Sequence, residues 1–274
     1  MRSYLLIFYV NIFMTFILLT SCFNKNQEDV SIRYGLILIS TDNKLYYTRD
    51  ILNLVNIPGK FVNTLVGDFN GDKKVDLAAI ATDGKVYYSV DLVKWVNIPG
   101  KFSNVISGDF NGDKKVDLAA IAMDGKVYYT IDLVKWANIP GKFSNIISGD
   151  FNGDKKVDLA AIATDGKVYY TIDLVKWVNI PGKFLNIISG DFNGDKKDDL
   201  AVIATDNKVY YTTDFEILVN MPGKFSNIIS GDFNGDKKDD LAGVAIGNIV
   251  YYSTDLQNWV NIPGKFFKIN RFPL

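Results

Sequence analysis

The segment Gly-Asp-Phe-Asn-Gly-Asp-Lys-Lys-Val-Asp-Leu-Ala at Gly67–Ala78 returns at Gly108, Gly149, Gly190 and Gly231, each time 41 residues further on, with Asp198 and Asp239 replacing Val in the last two copies. The repetition extends beyond that segment: residues 108–148 and 149–189 differ at only three of 41 positions, Met123/Thr164, Ala137/Val178 and Ser144/Leu185. A unit this short does not bury both faces of its own strands, so near-identical units have to cover one another. A period of about 40 residues therefore restricts the chain to a solenoid or a propeller, whatever chemistry it carries.

Within one unit four strand-like runs follow in order, Phe143–Phe151, Asp158–Ala163, Lys167–Thr171 and Trp177–Pro181. Turn residues separate them: an Asp/Asn/Gly loop, then Asp165-Gly166, then a short connection at Asp173. Asp-Gly between strand residues is a hairpin signal, and no segment sustains a helical period. Val168, Tyr169 and Tyr170 put bulky residues on both strand parities, as expected for strands covered on both sides. The arrangement predicts an all-β chain of propeller blades, four antiparallel strands to each. A linear β-solenoid is the competing architecture. Complete units begin at Phe61, Phe102, Phe143, Phe184 and Phe225. Leu36–Ser40, Lys44–Thr48 and Leu54–Pro58 match strands two to four of a further unit, and Lys265–Asn270 matches a first strand. These leftovers are complementary, so the expectation is a six-bladed β-propeller closed by three N-terminal strands and one C-terminal strand, hiding two open edges.

Composition narrows the function. Lys plus Arg is 30 against Asp plus Glu 31, so no basic field exists to attract nucleic acid. Histidine is absent, which removes His-dependent triads and the usual zinc and iron ligand sets. The single cysteine, Cys22, excludes an intrachain disulfide. Arg2 precedes an apolar run from Tyr4 to Thr20 that ends in Leu19-Thr20-Ser21-Cys22, the pattern of a secretory signal. Those last four residues resemble the bacterial lipobox, which implies lipidation of Cys22 and removal of what precedes it. An uncleaved anchor helix is the alternative, since the run is nearly long enough to span a bilayer. The expected organisation is a signal peptide over 1–22, a polar, Asn-rich tether over 23–31 and the repeat domain over 32–274. Such a protein is exported and lipid-anchored to a bacterial membrane.

Each copy of the loop places Asp, Asn, Asp and Asp at loop positions 1, 3, 5 and 9, with a backbone carbonyl at position 7. Oxygen ligands so spaced on a tight glycine-containing loop suit a hard cation, above all Ca²⁺. The first ligand set is Asp68, Asn70, Asp72, the Lys74 carbonyl and Asp76. The second is Asp109, Asn111, Asp113, Lys115 and Asp117, and the third is Asp150, Asn152, Asp154, Lys156 and Asp158. The fourth is Asp191, Asn193, Asp195, Lys197 and Asp199, and the fifth is Asp232, Asn234, Asp236, Lys238 and Asp240. Up to five Ca²⁺ ions are expected. The competing reading is a tight turn held by Asx hydrogen bonds without metal.

Asp-Phe-Asn-Gly-Asp-Lys-Lys-Val-Asp-Leu-Ala resembles the calcium loop of FG-GAP/VCBS-type repeats, the units of integrin α-subunit-like propellers. The resemblance covers all complete units and implies Ca²⁺ in the loops between the first two strands of each blade. That family usually has Gly at loop position 6, where this chain has Lys73, Lys114, Lys155, Lys196 and Lys237. A left-handed backbone at Lys costs about 1 kcal/mol.

A second recurring motif, Tyr-Tyr-Ser/Thr-x-Asp-Leu-x-x-Trp, as at Tyr251–Trp259, resembles a shortened Asp-box, the hairpin of sialidase propellers. Asp91, Asp132, Asp173, Asp214 and Asp255 are expected to cap turns. Trp95, Trp136, Trp177 and Trp259 are expected to pack rather than to stack on sugars, because Leu54 and Leu218 replace them elsewhere. Almost every polar residue recurs with the repeat, and the exceptions Arg33, Arg49, Asp198, Glu216, Asp239, Gln257 and Arg271 form no evident catalytic set. The expected function is therefore a surface-tethered, monomeric binding or adhesion module for a glycan or protein, with structural calcium and no enzymatic activity. A purely structural surface protein and, further off, a propeller-based glycosidase or lyase are the alternatives.

Overall fold

The computed structural model describes residues 15–19, 35–48, 53–266 and 269. Every element among the described residues is a β-strand. The N-terminal strands are β1 (Thr15–Leu19), β2 (Gly35–Ile39), β3 (Leu45–Thr48) and β4 (Val55–Ile57). They are followed by β5 (Phe61–Gly67), β6 (Asp76–Ala81), β7 (Val86–Ser89) and β8 (Val96–Ile98). Next come β9 (Phe102–Gly108), β10 (Asp117–Ala122), β11 (Lys126–Thr130), β12 (Ala137–Gly149), β13 (Asp158–Ala163), β14 (Val168–Thr171) and β15 (Val178–Ile180). The chain continues through β16 (Phe184–Gly190), β17 (Asp199–Ala204), β18 (Lys208–Thr212), β19 (Val219–Gly231), β20 (Asp240–Ala245), β21 (Val250–Ser253) and β22 (Val260–Ile262).

The second strand of each repeat explains the packing. In Asp76–Ala81 the first five residues are all buried, because the strand is covered on both faces. Ala78 and Ile80 point to one side, where they join Val86 and Ile98 of their own repeat and Phe102, Val105 and Leu118 of the following one. Leu77 and Ala79 point to the other, against Ile37, Leu45 and Ile57 of the preceding one. Strand alternation thus places one apolar cluster between each pair of consecutive repeats, and alanines let the sheets approach closely. Backbone bonds reinforce the stacking. The Asp-Gly hairpin turns accept from the next repeat's first Phe, as in Phe102 N to Gly84 O at 2.8 Å. Asn43, Asn207 and Asn248 replace glycine in that turn and hold φ of 65–67°, which Asn tolerates best after Gly. Along the first strands, Ser189 and Ser230 donate their hydroxyls to Ser148 O and Ser189 O at 2.8 and 2.6 Å.

Leu92, Leu133, Leu174, Phe215 and Leu256 hold φ between 55° and 62°. A bulky residue there is strained by about 1–2 kcal/mol. The strain is offset because the turn directs each side chain into an inter-repeat cluster, Leu133 being only 8% exposed. Asp91 caps the turn, accepting from Val93 N and Lys94 N at 2.8 and 2.7 Å, and its four counterparts do the same.

The expectation of a six-bladed propeller closed by its C-terminal strand is not met. The described strands form four open sheets of four, four, seven and seven strands: β1–β4, β5–β8, β9–β15 and β16–β22. Two features cause this. First, β12 and β19 run for 13 residues each. The added pairs Lys126↔Lys142 and Lys208↔Lys224 carry hydrogen bonding through the Pro-Gly-Lys link and join adjacent four-stranded groups. Secondly, the strand beside β2 is β1, not residues 265–270. Leu18 is opposite Leu36 in the same backbone register that sets Val66 opposite Leu77, so in the full-length chain, which retains the segment before Cys22, the apolar N-terminal run holds that edge. The described C-terminal residues Lys265, Phe266 and Ile269 belong to no strand. The far side of the last repeat is correspondingly open at its margins. Phe233 is 44% exposed where its counterparts Phe69, Phe110, Phe151 and Phe192 are 5–6%, and Ile262 is 37% exposed where Ile57 and Ile98 are at most 1%.

Candidate functional site: the Asp/Asn loops

The five loops join β5 to β6, β9 to β10, β12 to β13, β16 to β17 and β19 to β20. Their polar side chains fold inward onto their own backbone. In the first loop Asp68 Oδ1 accepts from Gly71 N at 2.6 Å and Asp72 N at 3.1 Å, and Oδ2 accepts from Lys73 N at 2.8 Å. Asn70 Oδ1 accepts from Asp72 N and Asp72 Oδ1 from Lys74 N, both at 2.8 Å. Asp76 Oδ2 reaches back to Phe69 N at 2.9 Å and Asn70 N at 3.3 Å. This network requires the left-handed backbone expected at position 6, and Lys73, Lys114, Lys155, Lys196 and Lys237 hold φ of 64–71°. The same bonds recur at Asp109, Asn111, Asp113 and Asp117, and at Asp150, Asn152, Asp154 and Asp158. They recur again at Asp191, Asn193, Asp195 and Asp199, and at Asp232, Asn234, Asp236 and Asp240.

Among the described residues no three acidic, His or Cys side chains are gathered closely enough to hold a metal ion. The Asx-turn pattern is thus present in full. One observation nonetheless fits a cation. Asp76 is 1% exposed, and its Oδ1 is buried with no hydrogen-bond partner, an arrangement that costs free energy unless something positive approaches. The loop oxygens that accept a single N–H bond, such as Asp68 Oδ2 and Asn70 Oδ1, retain a lone pair. Burial raises the pKa of every position-9 carboxyl, and the charges of the loop's other aspartates add to it. Asp117, Asp158 and Asp199 are pushed up to about 7. Each such carboxyl is poised to take a proton or a cation near neutrality.

The lysines of position 7 have a role that sequence spacing did not reveal. Lys115 lies over Gly71 of the preceding loop, where a Cβ would come within 2.9 Å of its Cε. Lys156, Lys197 and Lys238 cover Gly112, Gly153 and Gly194 in the same way. Backbone bonds tie the loops in series: Val116 N to Asp68 O, Val157 N to Asp109 O and Asp198 N to Asp150 O at 2.8 Å, and Asp239 N to Asp191 O at 2.7 Å. Where Val gives way to Asp, the side chain adds a second tie, Asp198 Oδ2 accepting from Asp150 N at 2.8 Å and Asp239 Oδ2 from Asp191 N at 3.1 Å. Burial, with the charges of Asp239, Asp150 and Asp191, raises the Asp198 pKa. The only sequence sign of this contact was the break in symmetry at those two positions.

Three of the tryptophans pack closely onto a Phe, as expected. Trp136, Trp177 and Trp259 lie 4.3–4.5 Å, centroid to centroid, from Phe102, Phe143 and Phe225. Cys22, the tether over 23–31, Arg33, Arg49 and Arg271 lie outside the described residues. No helix among the described residues is long and apolar enough to cross a membrane.

No family model and no curated protein matches the chain. Solved structures do. The crystal structure of BBS1N in complex with ARL6DN, soaked with mercury, superposes with a TM-score of 0.62 at 12% identity, over 85% of this chain and 77% of that one. The BP39L lectin from Burkholderia pseudomallei superposes with a TM-score of 0.62 at 13% identity, over 85% of this chain and 81% of that one. These likenesses define the class by fold alone: the chain is an all-β, β-propeller-like repeat protein.

Proposed function

We propose that the chain is an exported, lipid-anchored binding module that engages a glycan or protein partner and performs no catalysis. The observation that carries this reading is the repetition itself. Polar groups recur every 41 residues, which suits several weak equivalent contacts acting together rather than one reactive centre. The likeness to a lectin and to a protein solved in complex with another protein supports a binding role without identifying a ligand.

Calcium belongs to this proposal as a structural tie. The five Asp/Asn loops supply oxygen donors of the right hardness, and the buried Asp76 Oδ1 lacks a partner. Position-1, -3, -5 and -9 side chains would hold the ion, which supplies positive charge to a buried, self-repelling set of carboxylates. Since the loops are bonded in series, ordering one steadies its neighbours. A glycan and host-protein binding screen with and without Ca²⁺, alongside melting in chelator, tests the reading. Ligand capture with a calcium-dependent melt is expected. No ligand in either screen would leave a structural protein, and an unchanged melt in chelator would remove calcium.

A further inference from the structure

Trp95 differs from the other tryptophans of its repeat position. Trp136, Trp177 and Trp259 press onto a Phe at 4.3–4.5 Å and bury an indole N–H that meets no acceptor. The Trp95 ring stands 5.9 Å from Phe61, and its N–H is neither sealed in that way nor hydrogen-bonded. In front of it lies a cavity of about 530 Å³ where the connection from β4 to β5 meets the turn between β6 and β7. Tyr87 and Phe61 continue the aromatic wall, edge to face with centroids 6.4 Å apart. Asp83, Thr82 and Lys60 form the polar side. Thr82 N is bonded to Lys60 O at 3.0 Å, which fixes the two segments against each other. Asp83 is held in place by Lys85, through its backbone N at 3.2 Å and its ammonium at 3.3 Å, and retains lone pairs for a further donor.

From this juxtaposition of a tryptophan, a tyrosine and a fixed carboxylate around one cavity, we propose that this groove binds a hexopyranose ring of a glycan. A pyranose has one apolar C–H face and a rim of hydroxyls. The indole accommodates the face, while Asp83 and Lys60 accept from and donate to the rim. The volume falls in the range of small-ligand sites, which are aromatic pockets with few polar groups. One acid, Asp83, and one base, Lys60, line it, and Asp83 is already paired with Lys85, so no single-sign field selects a charged ligand in place of a hydroxylated one. The inference rests on the binding-module reading and gives it a ligand class and a location.

The test uses the full chain and a panel of methyl glycosides of glucose, galactose, mannose, N-acetylglucosamine and fucose, read by saturation-transfer NMR and by titration of tryptophan fluorescence. Trp95→Leu is the informative variant because Leu218 occupies this repeat position naturally, so folding is preserved. Trp177→Leu is the control. The expected result is binding of at least one glycoside, weakened about tenfold or more by Trp95→Leu and by Asp83→Ala and unchanged by Trp177→Leu. Binding that Trp95→Leu leaves unaltered overturns this site but keeps the binding module. Absence of binding by every glycoside at about 10 mM overturns the site. The module reading falls with it only if the separate protein screen is also blank.

Discussion

The position-9 aspartates make the metal-free protein's response to pH unusual. The folded pKa values of Asp117, Asp158 and Asp199 lie near 7, raised by burial from 3.8. A folded carboxyl with a raised pKa holds its proton where the unfolded chain has lost it. Its stability contribution is therefore full below about pH 4 and lost as pH climbs towards about 7. Every tenfold gain in proton affinity on folding is worth about 1.4 kcal/mol, giving an upper bound of about 4 kcal/mol per residue. Each loop is open to water on one side, and a discount to a quarter leaves about 3 kcal/mol for the three together, or about 6–12 °C in Tm for a domain of this size. The aspartates of the hairpin turns, such as Asp91 and Asp132, have lowered pKa values from backbone N–H bonds. Their contribution disappears only below the ordinary carboxylate range and does not interfere. The experiment takes the protein from about pH 5.5 to about pH 8 in chelator, a window that captures about half of that loss, and follows tryptophan fluorescence during heating. The Tm is expected to fall. Excess Ca²⁺ replaces the protons, so with calcium the fall disappears and the protein at the higher pH gains most. A metal-free Tm that is flat or rises over this range refutes the burial argument, and an identical profile with Ca²⁺ refutes the cation.

Further outcomes follow from single residues. Asp117→Asn removes the buried charge while keeping the shape, so the variant is expected to melt above the parent in chelator at about pH 8. It should also take up one Ca²⁺ fewer by calorimetry. An unchanged stoichiometry would show that Asp117 is no ligand. Leu133→Ala is expected to cost about 2–4 kcal/mol in denaturant unfolding. Leu133→Gly should cost no more than Ala, since the position holds φ of 56° and glycine relieves strain there; a clear further loss with Gly would contradict the strain assignment. Cys22→Ser should abolish metabolic labelling with a fatty acid and leave an unprocessed N-terminus by mass spectrometry, whereas retained label would exclude Cys22 as the anchor.

Much of the architecture is legible in the residues alone. The 41-residue period locates the strands because alternation, Asp-Gly turns and Asx loops are local signals, each repeated often enough to be checked against its copies. The second-strand segment Asp-Leu-Ala-Ala-Ile-Ala announces burial on both faces, and the replacement of Trp by Leu at position 218 announces packing. The turn-capping role of Asp91 and its counterparts is readable for the same reason: the cap and its N–H partners lie within three residues.

The residue pattern thus dictates the repeating unit: where its strands run, which faces are apolar and which loops carry the oxygen donors. Packing of the whole chain settles everything that depends on which of several equivalent partners meets which. Two apolar segments, Thr15–Leu19 and the chain's C-terminal stretch, both suit the edge of β2, and local pattern does not rank them; β1 occupies that edge. The Pro-Gly-Lys link is the same in neighbouring repeats, yet only at Lys126 and Lys208 does one added backbone pair join two groups into a seven-stranded sheet. The loops carry one donor set each, but their lone pairs are shared between their own backbone and the adjoining loop, and Asp76 Oδ1 is left over. Near-identical units present near-identical surfaces, so the competition among them is settled by small differences in distance and burial that exist only in the packed tertiary structure.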